Sequence, residues 1–417
     1  MASTGYARIV TVQAAQARTR RLTTVRREEA RVTALELFFD LVFVLALTQC
    51  TALIAATPTW AGLVQALFVL AVLWWSWGGY AWLTSVVDPE EGAVRIAMFA
   101  AMAAFLVAAL SVPHAFGDDA LVFACAYGVV RMAHIWLFTM ASRDDPGLRR
   151  SVTGLACSTA IGVTLLAAAS LTDGVQQGAL WAIAIAFDVG VPFLFFAEGW
   201  KLQPSHFAER HGLIVIIALG ESIVSIGVGA HEIVDGGIIA ASVLGVALAA
   251  ALWWLYFDVI VWLGERRLAQ AMPGKEQNEL ARDSYSIIHF PLVAGIVLTA
   301  FGLKKTLEHV GDPLHSVPAA ALVGGVALYL LGHVAFRWRQ VHSLSRQRSL
   351  AAFAALLLYP VALEVPALLT VALVLGVLVL LIAYEVTRFA ENRARVRQEL
   401  AHGRVPAAIA EIERMAE

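Results

Sequence analysis

Ionisable side chains stand where this sequence is otherwise built from Leu, Val, Ala and Phe. Arg131 falls near the middle of one apolar run, Asp188 near the middle of another, and Glu221 just past the middle of a third. A charge at the centre of a bilayer costs at least about 2.5–3.5 kcal/mol on insertion scales, so each requires a partner, a wet cavity or a function. Glu36 and Asp40 open the first run four residues apart and therefore share a helical face. Asp258, His289 and His333 lie toward the ends of their runs, and His134 is one turn from Arg131. Arg210 and Glu221 are eleven residues apart, which returns to nearly the same azimuth on an ideal helix. Carboxylates, guanidinium groups and imidazoles distributed in this way can bind an ion or pass a proton. A buried ion pair that fixes helix register is the competing reading for Arg131 with Asp188 or Glu221, and packing is the competing reading for the histidines. Glu36, close to an interface, is also placed to favour a helix N-terminus.

The elements that must hold these groups follow from composition. Of 417 residues, 59% are apolar and 15% charged, with a mean hydropathy of +0.73. A single core of this length could not hide that much apolar surface, which excludes a soluble enzyme and a disordered chain. Apolar stretches place spans near 34–56, 60–86, 93–112, 118–141, 149–171, 177–198, 207–230, 236–263, 284–303, 317–336, 348–365 and 367–388. The last two are divided at Glu364-Val365-Pro366, where a proline can start a new helix. Pro192 and Pro291 interrupt the sixth and ninth spans and free carbonyls that could line a cavity. Cys50, Cys125 and Cys157 all lie in apolar runs and read as buried small hydrophobes.

Loop charge sets the orientation. Of the 30 Lys and Arg residues, 27 fall on alternate connections and the two tails; Lys304 and Lys305 lie opposite, and Arg131 lies within a span. Both termini are therefore expected in the cytoplasm. The fold class expected is an all-α polytopic membrane protein of about twelve spans. A basic cytoplasmic tail over 1–33 is drawn to anionic headgroups, a membrane domain covers 34–388, and a cytoplasmic tail covers 389–417. The stretch from Glu265 to Arg282 reads as a cytoplasmic loop or surface helix broken at Pro273-Gly274. A parallel six-plus-six duplication over 34–198 and 207–388 is indicated by Leu73-Trp74-Trp75 in the second span and Leu252-Trp253-Trp254 in the eighth. Interfacial clustering of tryptophan is the alternative explanation.

His206 and Glu209 have the i, i+3 spacing of a helical metal-ligand pair, but no second pair accompanies them, so no metal and no cofactor is expected. No phosphate loop or nucleophile elbow occurs.

Two segments carry a resemblance. Leu35 to Gln49 reads LELFFDLVFVLALTQ, and His206 to Gly227 reads HFAERHGLIVIIALGESIVSIG. Both resemble the bacterial low temperature requirement A family, as do LWWLYFD at Leu252 to Asp258 and HFPLVAGIVLTAFG at His289 to Gly302. The resemblance implies a multi-pass protein of the bacterial plasma membrane and picks out Glu36, Asp40, His206, Glu209, Arg210, Glu221, Ser222, Asp258 and His289. It supplies no substrate. Arg131, His134 and Asp188 join the candidates on physical grounds alone.

The leading expectation is a proton- or ion-coupled permease of a small solute, with Glu221 as the proton or cation site, Arg131 or Arg210 as its counter-charge, and Asp40 and Asp258 beside it. The groups are expected to gather in one hydrated chamber. A membrane enzyme or lipid-handling protein using His206, Glu209, Glu221 and His289 at the cytoplasmic leaflet is the alternative, and a structural or sensor protein is a third. Expected partners are membrane lipids and the solute, with no nucleic acid; assembly as a homo-oligomer is compatible with the sequence.

Overall fold

The computed structural model describes residues 31–195, 199–229, 235–258, 260–404, 406–408 and 410. Most of the expected N-terminal tail, the Pro192 side chain and the last residues of the C-terminal tail lie outside that description.

The chain is helical throughout the described residues, with no strand among them. Seven long helices lead: α1 Ala34–Ala56, α2 Trp60–Thr84, α3 Gly92–Ser111, α4 Ala120–Ala141, α5 Pro146–Ala169, α6 Gly174–Phe195 and α7 Pro204–Gly229. Then follow α8 Gly236–Phe257, α9 Ile260–Gln270, α10 Lys275–Ala281, a π-helical segment Arg282–Ile287, α11 His289–Glu308 and α12 Ser316–Val341. The end comprises α13 Arg346–Leu357, α14 Tyr359–Ala362, α15 Ala367–Arg388 and α16 Ala390–Ala401. Ten helical segments among the described residues are long and apolar enough to cross a membrane. Large apolar side chains such as Leu110, Ile96 and Leu380 face outward, as in a protein solvated by lipid.

Helix ends follow local chemistry. Thr33 caps α1 by accepting from the Glu36 backbone N–H, while the Glu36 carboxylate accepts from the Thr33 N–H at 2.8 Å, a reciprocal capping box. Asp145 caps α5 ahead of Pro146, and the Leu148 N–H, with the Lys201 ammonium, holds its carboxyl below the usual value. Gly199 has φ +80°, and a Cβ there would lie 2.2 Å from the Leu148 nitrogen. Pro273-Gly274 breaks the α9–α10 connection as expected, with Gly274 at φ +107°.

At the end where α1 begins, hereafter the proximal face, Thr84 of α2 meets Arg210 of α7, and Arg348 of α13 meets Glu385 of α15. At the opposite face Pro366 pairs with Pro313, and the Ala367 N–H donates to Asp312 O at 2.8 Å. The segment containing α13 and α14 therefore runs from one face to the other, broken at Leu358.

The tightest crossing is α11 on α12. A Cβ at Gly295 would lie 2.6 Å from Gly325 O, and one at Gly325 would lie 2.7 Å from Gly295 O, so the two backbones touch where lipid offers no hydrophobic drive to bring them together. Cys50 is buried as expected, but Cys125 and Cys157 are exposed on the outer surface, because an apolar run in a membrane helix has a lipid face as well as a packed one. The two Leu-Trp-Trp motifs differ in surroundings: Trp74 is buried, whereas Trp253 and Trp254 are exposed.

Overpacking of this kind costs about 1–3 kcal/mol, so Gly325→Leu is expected to lower the thermal midpoint measured in detergent, whereas Gly324→Leu, where an added Cβ meets open space, is expected to leave it near wild type.

Candidate functional site

The buried charges form separate groups, each with its own partners. Under the proximal face, Arg210 lies between the two carboxylates that open α1. Its Nη1 donates to Glu36 Oε1 at 3.0 Å and to Thr84 Oγ1 at 3.2 Å, and its Nη2 donates to Asp40 Oδ1 at 2.6 Å. His206 Nε2 stands 2.9 Å from Glu36 Oε1, and Trp77 Nε1 donates to Asp40 Oδ1 at 2.8 Å. Every member is buried, and the guanidinium also lies over the Trp77 ring at 5.6 Å. Two carboxylates and one guanidinium leave one negative charge when the imidazole is neutral and none when it is protonated. Glu209, one residue away, is exposed and accepts from the Val32 N–H at 3.3 Å. His206 thus faces Glu36 while Glu209 lies at the surface, and among the described residues no group of three His, Cys, Asp or Glu is placed to hold a metal ion.

The second group joins α4, α5 and α6. Arg131 Nη2 donates to Asp188 Oδ1 at 3.0 Å and to Thr159 Oγ1 at 2.7 Å, while Tyr127, one turn before Arg131, donates its phenol to Asp188 Oδ2. His134 Nε2 lies 2.9 Å from Gly79 O. A carbonyl only accepts, so that nitrogen carries the proton and Nδ1 bears the lone pair of the neutral ring. Nδ1 has no partner, and neither has Arg131 Nε, although both residues are 1% exposed.

A cavity of about 80 Å³ is lined in part by these two residues. Trp74, Trp75, Trp82, Phe138 and Trp200 wall it, Gly78 and Gly79 form part of its lining, and Glu279 and Arg282 flank it from the α10 side. Gly79 is required here, because a Cβ would sit 2.9 Å from His134 Cε1 and 3.2 Å from Arg131 Nη1, whereas at Gly78 a Cβ would meet nothing within 4 Å. The π-helical turn aims Ser286 at the same wall: its carbonyl accepts from Trp74 Nε1 at 2.7 Å and its hydroxyl from Trp82 Nε1 at 2.9 Å. Behind Asp188 is a second hole of about 10 Å³, bordered by Trp75, Tyr127 and Gly162, room for roughly one water. The Arg131–Asp188 pair stands between the two spaces.

The remaining candidates are apart. Glu221 is buried against α1, where Thr48 Oγ1 lies 2.5 Å from Oε2 and Ser225 donates to Oε1 at 2.9 Å. Thr48 Oγ1 is also 3.1 Å from Val44 O. The Thr48 hydroxyl can donate to a charged Glu221, or donate to Val44 O while accepting from a protonated Glu221 carboxyl. Ser222 is buried without a partner for its hydroxyl. Asp258 is paired with Arg393 of α16, and Arg397 lies 3.8 Å away. His289 has Ser284 O at 2.8 Å from Nδ1, so Nε2 accepts from the Tyr256 phenol at 2.7 Å. His333 is buried with both ring nitrogens unpartnered.

Two expectations are corrected. The ionisable groups do not gather in one chamber, and neither arginine pairs with Glu221. Arg210 shares its azimuth but lies about 16 Å further along the helix axis, and its donors are taken by Glu36 and Asp40. Sequence reasoning missed Tyr127, Thr159, Trp77 and Gly79. The i, i+4 spacing of Tyr127 and Arg131 and the Gly78-Gly79 doublet amid tryptophans were the available signals.

Comparison with known proteins agrees with the motifs. The family model described as bacterial low temperature requirement A protein matches residues 31–383. An uncharacterised protein of Rhizobium meliloti (strain 1021) is 29% identical over 313 residues, covering 71% of this chain and 75% of that protein. No solved structure matches the chain.

Removing one partner of a buried ionic network costs about 3–5 kcal/mol. Arg210→Leu is accordingly expected to destabilise the protein by that order in reversible denaturation in bicelles, and a loss below about 1 kcal/mol would mean that water reaches Glu36 and Asp40.

Proposed function

The chain belongs to the bacterial low temperature requirement A family, and from that premise we propose that it is a secondary permease of the plasma membrane, carrying a small solute or ion together with protons. The observation that carries this reading is the cavity that ends on Arg131 and His134. Its lining includes the side chains of Arg131 and His134, and ionisable groups buried in a membrane protein mark ion and substrate pathways.

The accompanying architecture is twelve crossings. To the ten long apolar segments are added α6, which is apolar over 22 residues, and the broken α13–α14 segment joining the two faces. The proximal face is then cytoplasmic, since the positively charged connections lie there, and both tails follow it. On this orientation the cavity is a vestibule open toward the cytoplasm, and Arg131–Asp188 closes its inner end above the water-sized hole. Glu221 serves as the proton carrier on α7, because its hydroxyl partners accommodate both the charged and the neutral carboxyl. The Glu36–Asp40–Arg210 group and the Asp258–Arg393 pair act as register pins that hold α1 to α7 and α8 to α16. The enzymatic alternative has less to work with. His206 is buried against Glu36, away from the vestibule lining.

Purified protein in liposomes is expected to move protons when solute is supplied under an imposed pH gradient, and Glu221→Gln to abolish that movement while the protein remains folded. Equal proton leak from wild-type, Glu221→Gln and protein-free vesicles across a broad solute panel would contradict the permease.

A further inference from the structure

We propose that the vestibule binds a small flat organic anion, of the aromatic monocarboxylate type, and takes up one proton on His134 with it. This deepens the permease reading and rests on it for the use to which binding is put.

The anion follows from Arg131. Its described hydrogen bonds all leave from Nη2, to Asp188 and Thr159; Nε has no partner, and Nη1 lies against Gly79 on the cavity wall. A guanidinium with part of its fork unused is a docking point for a carboxylate. The flat apolar body follows from the walls, where Trp75, Trp82, Phe138 and Trp200 offer ring surfaces, while Arg282, the second cation of the lining, is paired with Asp283. The size also fits. About 80 Å³ is roughly half of a cavity that encloses benzene, room for the carboxylate and part of one ring, with the rest of the ring lying in the open mouth.

The proton follows from charge and tautomer. Arg131 and Asp188 are already neutral as a pair, so an anion arriving alone and displacing water from the inner end would bring an uncompensated charge among apolar rings. His134 removes that obstacle. Its Nε2–H is committed to Gly79 O, its Nδ1 lone pair is unoccupied, and a proton there makes both nitrogens donors and supplies the missing positive charge. The other titratable groups around it are already engaged or distant: Tyr80 donates to Val130 O, Tyr127 to Asp188, and Glu279 and Arg282 lie across the cavity on the α10 side. Anion and proton thus enter together as an electroneutral pair.

The test uses the full chain in lipid nanodiscs and titrates benzoate against its neutral isostere benzamide, by calorimetry in two buffers of different ionisation enthalpy. Benzoate is expected to bind, benzamide at least about tenfold more weakly, with about one proton taken up per benzoate and affinity rising about tenfold for each unit of pH lowered over the range in which His134 is neutral in the free protein and protonated in the complex. His134→Gln is expected to abolish proton uptake. Gly78→Leu, which fills the cavity from a position where a Cβ meets nothing, is expected to abolish binding. Arg131→Gln combined with Asp188→Asn removes both charges, avoids a lone buried carboxylate, and is expected to give the same loss. Benzamide binding as well as benzoate, proton uptake unchanged in His134→Gln, or benzoate binding unchanged in Gly78→Leu would each overturn the site. Proton-linked benzoate binding without liposome flux would support the site and sink the permease. Coupled flux that persists in Gly78→Leu vesicles would overturn the site and leave the permease standing.

Discussion

Neutralising charge where water is scarce is the constraint on which this structure depends. A guanidinium or carboxylate placed in hydrocarbon without a partner costs several kcal/mol, so each one dictates what must stand beside it. Arg210 illustrates the consequence. Once it is buried in α7, Glu36 and Asp40 must come to it from α1 and Thr84 from α2, and the first two helices acquire a common register with one far along the chain. Arg131 does the same for α4, α5 and α6 through Asp188 and Thr159.

The two arginines differ in what surrounds them. The Arg210 group is sealed: its two forward nitrogens are taken, aromatic rings close over it, and nothing in it is accessible. The Arg131 group borders empty space, and that space exists because of α2. This helix presents Trp77 to the sealed side and Trp75, Gly78, Gly79 and Trp82 to the open one, so one segment walls off a structural network from a vestibule. Gly79 lets Arg131 and His134 approach the backbone, and Gly78 leaves volume unfilled. A close-packed interior rarely leaves such a void beside buried ionisable side chains without an occupant.

Much of this was legible in the sequence. Hydropathy and the alternation of basic residues located the long helices, and the break at Val365-Pro366 was read from a single proline. The charged residues of both arginine groups were identified as anomalies because their cost in lipid is independent of fold. Their pairing was not legible. Glu36 and Arg210 are 174 residues apart, and only the packing of α1 on α7 brings them within 3.0 Å. Azimuth along one helix misassigned Arg210 to Glu221, since a shared face carries no information about the distance along the axis. Nor could composition separate the lipid-facing Cys125 from the buried Cys50, because both surroundings are apolar. The vestibule itself was written in the glycine doublet, whose meaning appears only when His134 and Arg131 are seen against it.

The central claim is that an aqueous space reaches from the cytoplasm to the depth of Arg131. It is tested most directly by a single cysteine at Gly78 in a chain freed of Cys50, Cys125 and Cys157, exposed to a membrane-impermeant maleimide in vesicles of known orientation. The account predicts rapid labelling when the cytoplasmic face is outward and protection when the opposite face is outward. Labelling from the opposite face alone, or from neither, would contradict it.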